Sequence, residues 1–255
     1  MNLERNIYVI GDLHGDFDLI DAKLNTGASL DGELKDVLFV AGDAGFINSY
    51  ETKDSINKRK QHLNNTPFII IVILGNHENY DVIQSLPETE IFNGKCYKED
   101  GVDVYYAKNG QIFEIDGKKI FTYNGGLSID KEKRLEYEKQ YGVKFWWPQE
   151  IDLNDFDESF KKYLNQKIDY VITHDVPRSV FNKLTSFIPG RFKNNPCALH
   201  DSFEKIYSLK NFEHWYAGHY HPSYPVTIDK LTVLPIGYMI KIKWAKFSSF
   251  FYLFS

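Results

Sequence analysis

An α/β fold is predicted by three features of the chain. Short runs of almost unbroken β-branched and aromatic residues recur along it, charged helix-forming stretches separate them, and most of these runs end in an Asp, Asn or His. Near-continuous apolar strands alternating with helices indicate a sheet covered on both faces and built from βαβ units. In such sheets ligands bind beyond the carboxyl ends of strands, where these polar residues stand.

The elements follow in order. Asn6–Ile10 reads as a short buried strand, and Gly15–Leu24 as a helix with Phe17, Ile20 and Leu24 on one face. Asp36–Ala41 is a second buried strand, Thr52–Leu63 a charged helix, and Pro67–Leu74 the most apolar run in the chain. After Tyr80 the pattern becomes antiparallel: Val102–Ala107, Gln111–Ile115 and Lys118–Tyr123 are strands, with Asn109-Gly110 and Asp116-Gly117 as two tight hairpin turns. A polar insertion spans about Ser128–Asn165, with helices at Asp130–Tyr141 and Phe156–Leu164. Asp169–Thr173 is a buried strand, Asp201–Leu209 a helix and Glu213–Ala217 a strand; Tyr224–Ile228 and Leu231–Ile236 form a hairpin through Asp229-Lys230. No internal repeat or linker interrupts the series, so residues 1–255 are expected to form a single domain with the insertion at about 128–165.

Composition narrows the setting. With 43% hydrophobic and 16% aromatic residues, the 255-residue chain has ample material for a core. A net charge of −5 gives no basic footprint for long nucleic acid. The two cysteines, Cys96 and Cys197, lie 101 positions apart and suit a reducing compartment. The N-terminus passes straight into the first strand without the pattern of a signal peptide, and no apolar stretch approaches the ~20 residues of a membrane helix. A cytoplasmic protein without membrane contact is expected.

Six short words carry the chemistry: Gly11-Asp12-Leu13-His14-Gly15-Asp16, Gly42-Asp43, Gly75-Asn76-His77-Glu78, Thr173-His174-Asp175, Gly218-His219 and Tyr220-His221. Oxygen and imidazole donors converging from strand ends can hold two divalent metals roughly 3.5–4 Å apart, the geometry used for in-line displacement at phosphorus. Asp12 and His14, like His219 and His221, stand at i and i+2, so in extended chain each pair projects from one face.

In order and spacing these words resemble the calcineurin-like metallophosphoesterase superfamily, whose pattern is D-x-H, G-D, G-N-H-[D/E], H and G-H-x-H. The gaps between Asp12, Asp43, Asn76, His174 and His219 are 31, 33, 98 and 45 residues, and no element is missing. The resemblance implies a four-layer αββα sandwich, two mixed sheets face to face with helices outside. It assigns Asp12, His14 and His221 to one metal, Asn76, His174 and His219 to the other, and Asp43 to both. It also makes His77 the group that stabilises the phosphoryl charge and protonates the leaving oxygen, while hydroxide shared by the metals attacks. Mixed Asp/Asn/His ligation suits manganese, iron, zinc or cobalt better than calcium. Glu78 reads as a supporting residue rather than a catalytic one.

Protein serine/threonine phosphatases share Gly-Asp-x-His-Gly and Gly-Asn-His-Glu, but carry G-D-x-x-D-R-G where this chain has Gly42-Asp43-Ala44-Gly45-Phe46-Ile47-Asn48. The acid and arginine of that motif are absent, which demotes that reading. A second stretch, Gly125-Gly126-Leu127-Ser128-Ile129-Asp130-Lys131, Arg134 and Trp146-Trp147-Pro148-Gln149-Glu150, is similar to a branch of small bacterial and phage-borne members. Arg134 is the candidate phosphate contact there, and the tryptophans either wall a pocket or pack the insertion down. His62 reads as solvated, and His200 and His214 as structural. The aromatic tail from Lys241 to Ser255 is too short to span a bilayer and reads as docking on the domain or a partner.

The expected function is hydrolysis of a phosphomonoester, phosphodiester or pyrophosphate bond in a small, possibly nucleotide, substrate. The alternatives are a non-catalytic metal-binding scaffold for partner proteins, and a nuclease.

Overall fold

Strand β1 (Ile7–Ile10) shows why the apolar runs are unbroken. In the computed structural model, which describes residues 4–24, 34–49, 51–188, 190–192 and 195–243, Ile7 and Val9 face a central core while Tyr8 and Ile10 face an outer one. Strand β2 (Asp36–Val40) divides the same way, Val37 and Phe39 inward, Leu38 and Val40 outward. A strand buried on both faces has no position for a polar side chain, so period 2 is invisible in its sequence.

The central core lies between two sheets. The first has seven strands in the order β13-β1-β2-β3-β6-β5-β4, with β3 at Phe68–Val72, β4 at Glu88–Ile91, β5 at Gly94–Lys98, β6 at Val104–Ala107 and β13 at Met239–Lys243. The second has six, β11-β12-β10-β9-β8-β7, with β7 at Gln111–Ile115, β8 at Lys118–Tyr123, β9 at Tyr170–Thr173, β10 at His214–Ala217, β11 at Val226–Ile228 and β12 at Leu231–Val233. In both, a parallel centre (β1, β2, β3, β6; β8, β9, β10, β12) is flanked by antiparallel edges. Helices α1 (Asp18–Leu24) and α2 (Lys53–Asn64) and the short α3 (Tyr80–Ile83) accompany the first sheet. Helices α5 (Phe156–Leu164), α6 (Arg178–Leu184) and α7 (Ala198–Tyr207) pack on the second, and α4 (Lys131–Tyr141) belongs to the insertion. This is the expected αββα sandwich.

Several local expectations need correction. Asn109-Gly110 is not a hairpin turn: β6 already has β3 and β5 as neighbours, so the chain crosses there to open the second sheet. The helix expected from Gly15 starts at Asp18, because His14 and Gly15 adopt φ of 49° and 81°, which no right-handed helix contains. The β4–β5 hairpin was not expected. Its turn residues Phe92 and Asn93 both take positive φ (50° and 66°), and its edge strand alternates exposed and half-buried residues too polar to read as a strand. The insertion expected over 128–165 divides in two. Its second helix, α5, buries Phe156 and Tyr163 in the outer core and is an ordinary member of the helix layer. Of the tail, Met239–Lys243 pairs antiparallel with β1, and 244–255 lie outside the described residues.

Helix α2 is fixed by a buried ion pair as well as by packing. Arg59, 4% exposed, donates from Nη1 to Glu99 Oε2 (2.6 Å) and from Nε to Glu51 Oε1 (2.8 Å), linking α2 to the turn after β5. Replacing one member of such a pair strands the others without a partner. Arg59→Ala is therefore expected to lower unfolding free energy by about 3–5 kcal/mol, read from urea denaturation.

Candidate metal centre

Six loops leave the carboxyl ends of parallel strands β1, β2, β3, β8, β9 and β10 and meet at one mouth of the sandwich. Backbone hydrogen bonds lace them together. Leu13 and His14 both donate to the Asp43 carbonyl (3.1 and 2.8 Å), and Gly218 donates to the His174 carbonyl (3.1 Å). Asn124, just past β8, crosses between the sheets: its Oδ1 accepts from Leu74 N (2.9 Å) and its Nδ2 donates to the Ala107 carbonyl (2.8 Å).

The seven expected ligands come together at this mouth. Donor atoms of Asp12, His14 and His221 lie within 4.8 Å of one another, and so do those of Asp12, Asp43 and His174. Asn76 Oδ1 stands 3.0 Å from His174 Nε2, and the His174 and His219 rings are 4.7 Å apart between centroids. His77 is beside them, Nε2 4.0 Å from Asp43 Oδ2, with its backbone N–H donating to Asp43 Oδ1 at 2.8 Å.

The i, i+2 spacing works differently from the expectation. His14, Asp43, His219 and His221 adopt φ of 49°, 48°, 71° and 46°, the left-handed region, so the pairs converge through tight turns and not along an extended strand. Strain of this kind persists only where surrounding structure imposes it and concentrates at functional sites. Two glycines permit the close approach: a Cβ on Gly75 would lie 2.2 Å from Asp43 Oδ1, and one on Gly218 2.2 Å from Asp12 Oδ1.

The donor set fits cations. The Nδ1–H of His174 is committed to the Ala41 carbonyl at 2.8 Å, which turns Nε2 toward Asn76 Oδ1 and, at 3.4 Å, Asp43 Oδ2. On the other side His221 Nε2 faces both Asp12 Oδ2 (2.8 Å) and His14 Nε2 (3.1 Å). Imidazole nitrogens and carboxyl or amide oxygens crowd together on both sides with at most one proton between them, an arrangement suited to a positive charge in their midst.

The ionisation of the residues answers the same demand. Burial disfavours the charged form of Asp43, yet His174 and His77 outweigh it and hold the carboxyl well below its usual range. Burial lowers His174, but Asp43 and Asp12 drive it up to about 10, a proton serving where a cation would. His219, farther from carboxylate contact, is pushed by burial down to about 4 and stays a neutral imidazole, the form that ligates. Glu78 is fully buried; burial and Asp43 push it up to about 8, and its Oε1 accepts from Ala44 N at 2.7 Å. It holds the turn carrying Asp43 and does not line the cleft, in keeping with a supporting role.

A second network braces the β9 and β10 ends. The Asp175 carboxylate accepts from Val176 N (2.8 Å), His200 Nε2 (3.0 Å), the Tyr220 hydroxyl and Cys197 Sγ (3.5 Å). Burial opposes its charge, but His200 more than compensates and holds it far below the usual carboxylate range. Asp175, Cys197 and His200 are close enough to bind an ion, but the carboxylate is already saturated with donors. His200 is structural, as expected, and so is His214, whose Nε2 pairs with Thr232 Oγ1 at 2.8 Å. The expected solvated His62 is instead half-buried, 3.2 Å from an Asp21 oxygen.

The insertion overhangs the cleft. The cavity, about 400 Å³, is walled by five of the expected ligands (Asp12 and His174 lie deeper) and His77, together with Leu127, Ile129, Asp130, Lys133 and Phe192. Arg134 is 6% exposed, with Nε on Asp130 Oδ1 (2.9 Å), Nη1 on the Asn76 carbonyl (2.8 Å) and Nη2 2.5 Å from His77 Nε2 and 3.0 Å from its Nδ1. Its guanidinium therefore rests on the His77 ring and borders a neighbouring cavity of about 320 Å³ with Tyr137, Phe145 and Trp147. Trp147 is buried in the outer core, and Lys131 Nζ lies over Trp146 at 3.9 Å, so packing explains both tryptophans. Sequence reasoning missed Lys133, a cation on the cleft wall whose only signal was its place beside Arg134.

The family described as calcineurin-like phosphoesterase matches residues 5–223. Similar solved structures include a phosphopantetheinyl hydrolase from Mycobacterium tuberculosis (15% identity, TM-score 0.46, covering 91% of this chain and 88% of that one). A putative 5'-nucleotidase from Staphylococcus aureus is similar at 15% identity and TM-score 0.41, covering 91% of this chain but only 48% of the other. A cold-active protein-tyrosine phosphatase of a Shewanella species follows at 12% identity and TM-score 0.37, covering 91% and 71%. No curated protein matches the chain in sequence.

Asp175 is the keystone of the second network, and its loss would orphan several buried donors at once. Asp175→Ala is expected to lower unfolding free energy by about 3 kcal/mol or more, measured by denaturant titration.

Proposed function

Because the chain belongs to the calcineurin-like phosphoesterase family and is thereby a metal-dependent hydrolase of phosphate esters, we propose that it cleaves a phosphomonoester, phosphodiester or pyrophosphate bond in a small substrate with two divalent ions. Asp12, His14 and His221 would hold one ion, Asn76, His174 and His219 the other, with Asp43 contributing to both. The observation that carries this reading is the convergence of imidazole nitrogens with carboxyl and amide oxygens around Asp12 and Asp43, at 2.8 to 3.4 Å. Donors of imidazole, carboxylate and amide suit manganese, iron, zinc or cobalt. Bound ions supply Lewis acidity and a lowered pKa for water.

The chain's own residues do the rest. His77 has a side chain 42% exposed and faces the cleft from beside Asp43. From there it hydrogen-bonds the phosphoryl group and, in its protonated form, gives a proton to the leaving oxygen; burial and then Arg134 lower its pKa, so the incoming phosphoryl charge is what favours that form. Arg134, whose Nη2 rests on the His77 ring, would turn from it to reach a phosphoryl oxygen, and Lys133 adds positive charge at the rim. A cleft of about 400 Å³ matches a small phosphorylated molecule, nucleotides included, and not a long polymer.

Elemental analysis beside steady-state rates, on protein reconstituted with manganese and tested against phosphatase and phosphodiesterase substrates, examines this directly. Asp43→Asn is expected to lose one ion and all measurable turnover. His77→Ala should keep both ions and slow turnover by roughly 10²–10⁴-fold; an ion lost with His77 would make it a ligand. Arg134→Lys should raise KM for a good substrate and spare a minimal aryl phosphate, and an equal response of both would remove Arg134 from the substrate site.

A further inference from the structure

Ser128 and Glu150, at the two roots of the cleft-covering stretch, are not themselves on the cleft wall and are 4% and 2% exposed. Both lie behind Asn76. Glu150 Oε1 accepts from the Ser128 backbone N–H at 3.0 Å, and its Oε2 accepts from the Ser128 hydroxyl at 2.5 Å. A serine hydroxyl has one proton. Once that proton is given to Glu150, Oγ can only accept on its other side, and there stands Asn76 Nδ2, 3.2 Å away.

An amide anchored through its nitrogen must present its oxygen the opposite way. Asn76 Oδ1 accordingly points to His174 Nε2 at 3.0 Å, into the group of lone pairs. The reverse orientation would aim two N–H donors at the place where a cation is to sit. We infer that Glu150, acting through Ser128, sets the direction of the Asn76 amide, so that this pair from the insertion are positioning residues for one metal ion. The inference rests on the proposed ligand role of Asn76. It also gives a purpose to the separation of these two residues along the chain: the serine is at the root of the insertion where it leaves β8, the glutamate at the other root, and Gly126 N–H donates to the Glu150 carbonyl (3.0 Å) to bring the roots together.

Polarity, and not volume, is the property at stake, and two substitutions separate them. Ser128→Ala removes the acceptor. Glu150→Gln is nearly isosteric, but to keep an oxygen on the Ser128 N–H it must turn its NH₂ toward Oγ, which sends the hydroxyl proton to Asn76 and favours the turned amide. Manganese titration of each metal-free protein, followed calorimetrically, is expected to show one of two ions weakened by roughly 10–100-fold in both variants, the usual scale for a lost supporting contact. Ser128→Thr, which keeps the hydroxyl, should retain affinity closer to the parent than Ser128→Ala does. Parental affinity for both ions in Glu150→Gln, with Ser128→Ala also unaffected, would overturn the inference; so would an equal loss in the Ala and Thr variants with unchanged melting of the metal-free proteins, since that marks packing. A second readout does not need metal. The side-chain NH₂ of Asn76, identified by its disappearance in Asn76→Asp, should exchange with solvent slowly in the parent and faster in Ser128→Ala, and unchanged exchange would count against the contact. If the parent itself takes up no pair of ions while this exchange difference appears, the positioning contact stands and the proposed dinuclear function falls.

Discussion

The carboxylate of Asp43 is the tie on which the mouth of the sandwich depends. Its backbone carbonyl receives the loop after β1, its Oδ1 receives the His77 N–H from the loop after β3, and its Oδ2 faces His174 from the second sheet. Asp12 does the same work on the other side, accepting from His219 N at 3.0 Å across the two sheets. Burying two carboxylates beside each other is strongly unfavourable unless each is hydrogen-bonded and offset by positive charge. Glu78 shows the consequence: burial, reinforced by ionised Asp43 nearby, keeps the proton on this third carboxyl to about 8.

This placement needs the backbone to do something expensive. Four ligands sit at left-handed φ without being glycine, and each such residue costs on the order of 1 kcal/mol or more. The sandwich can impose that because the strands feeding the loops are buried on both faces and cannot shift by one residue without exchanging the side chains fitted to two different cores. Rigid strands deliver short loops, and short loops leave the donors nowhere else to point.

How much of this was legible in the sequence follows from the same physics. The parallel strands at the centre of each sheet were readable because nothing but apolar residues survives there. The candidate ligands were legible as a set because each word that holds them follows such a strand. Edge structure was hard to read: Glu88–Ile91 is polar on one side and pairs on one side only, so neither hydrophobicity nor length marks it. The turn at Asn109-Gly110 has the local chemistry of a hairpin, and only the full strand order reveals that the chain changes sheets there. The left-handed turns at His14, His219 and His221 were likewise hidden, since nothing in Asp-x-His or Gly-His-x-His distinguishes an extended pair from a turned one. Asp175 went unread for a related reason. Its partners, Cys197, His200 and Tyr220, lie 22, 25 and 45 residues further along and meet it only when α7 packs on the second sheet.

The insertion is sewn shut at its base. Gly125 N–H donates to the Leu74 carbonyl at 2.7 Å, Gly126 N–H to the Glu150 carbonyl at 3.0 Å, and beyond Glu150 the chain continues directly toward α5. Seams at both roots fix where the insertion begins and ends, so β8 and α5 are positioned from its base and not from the stretch above it. That stretch is pinned to the domain at two further points, Arg134 on the Asn76 carbonyl and Trp147 in the core outside the first sheet. Exposed wall residues between the seam and those points, Lys133 among them, can therefore be exchanged without disturbing the strands below.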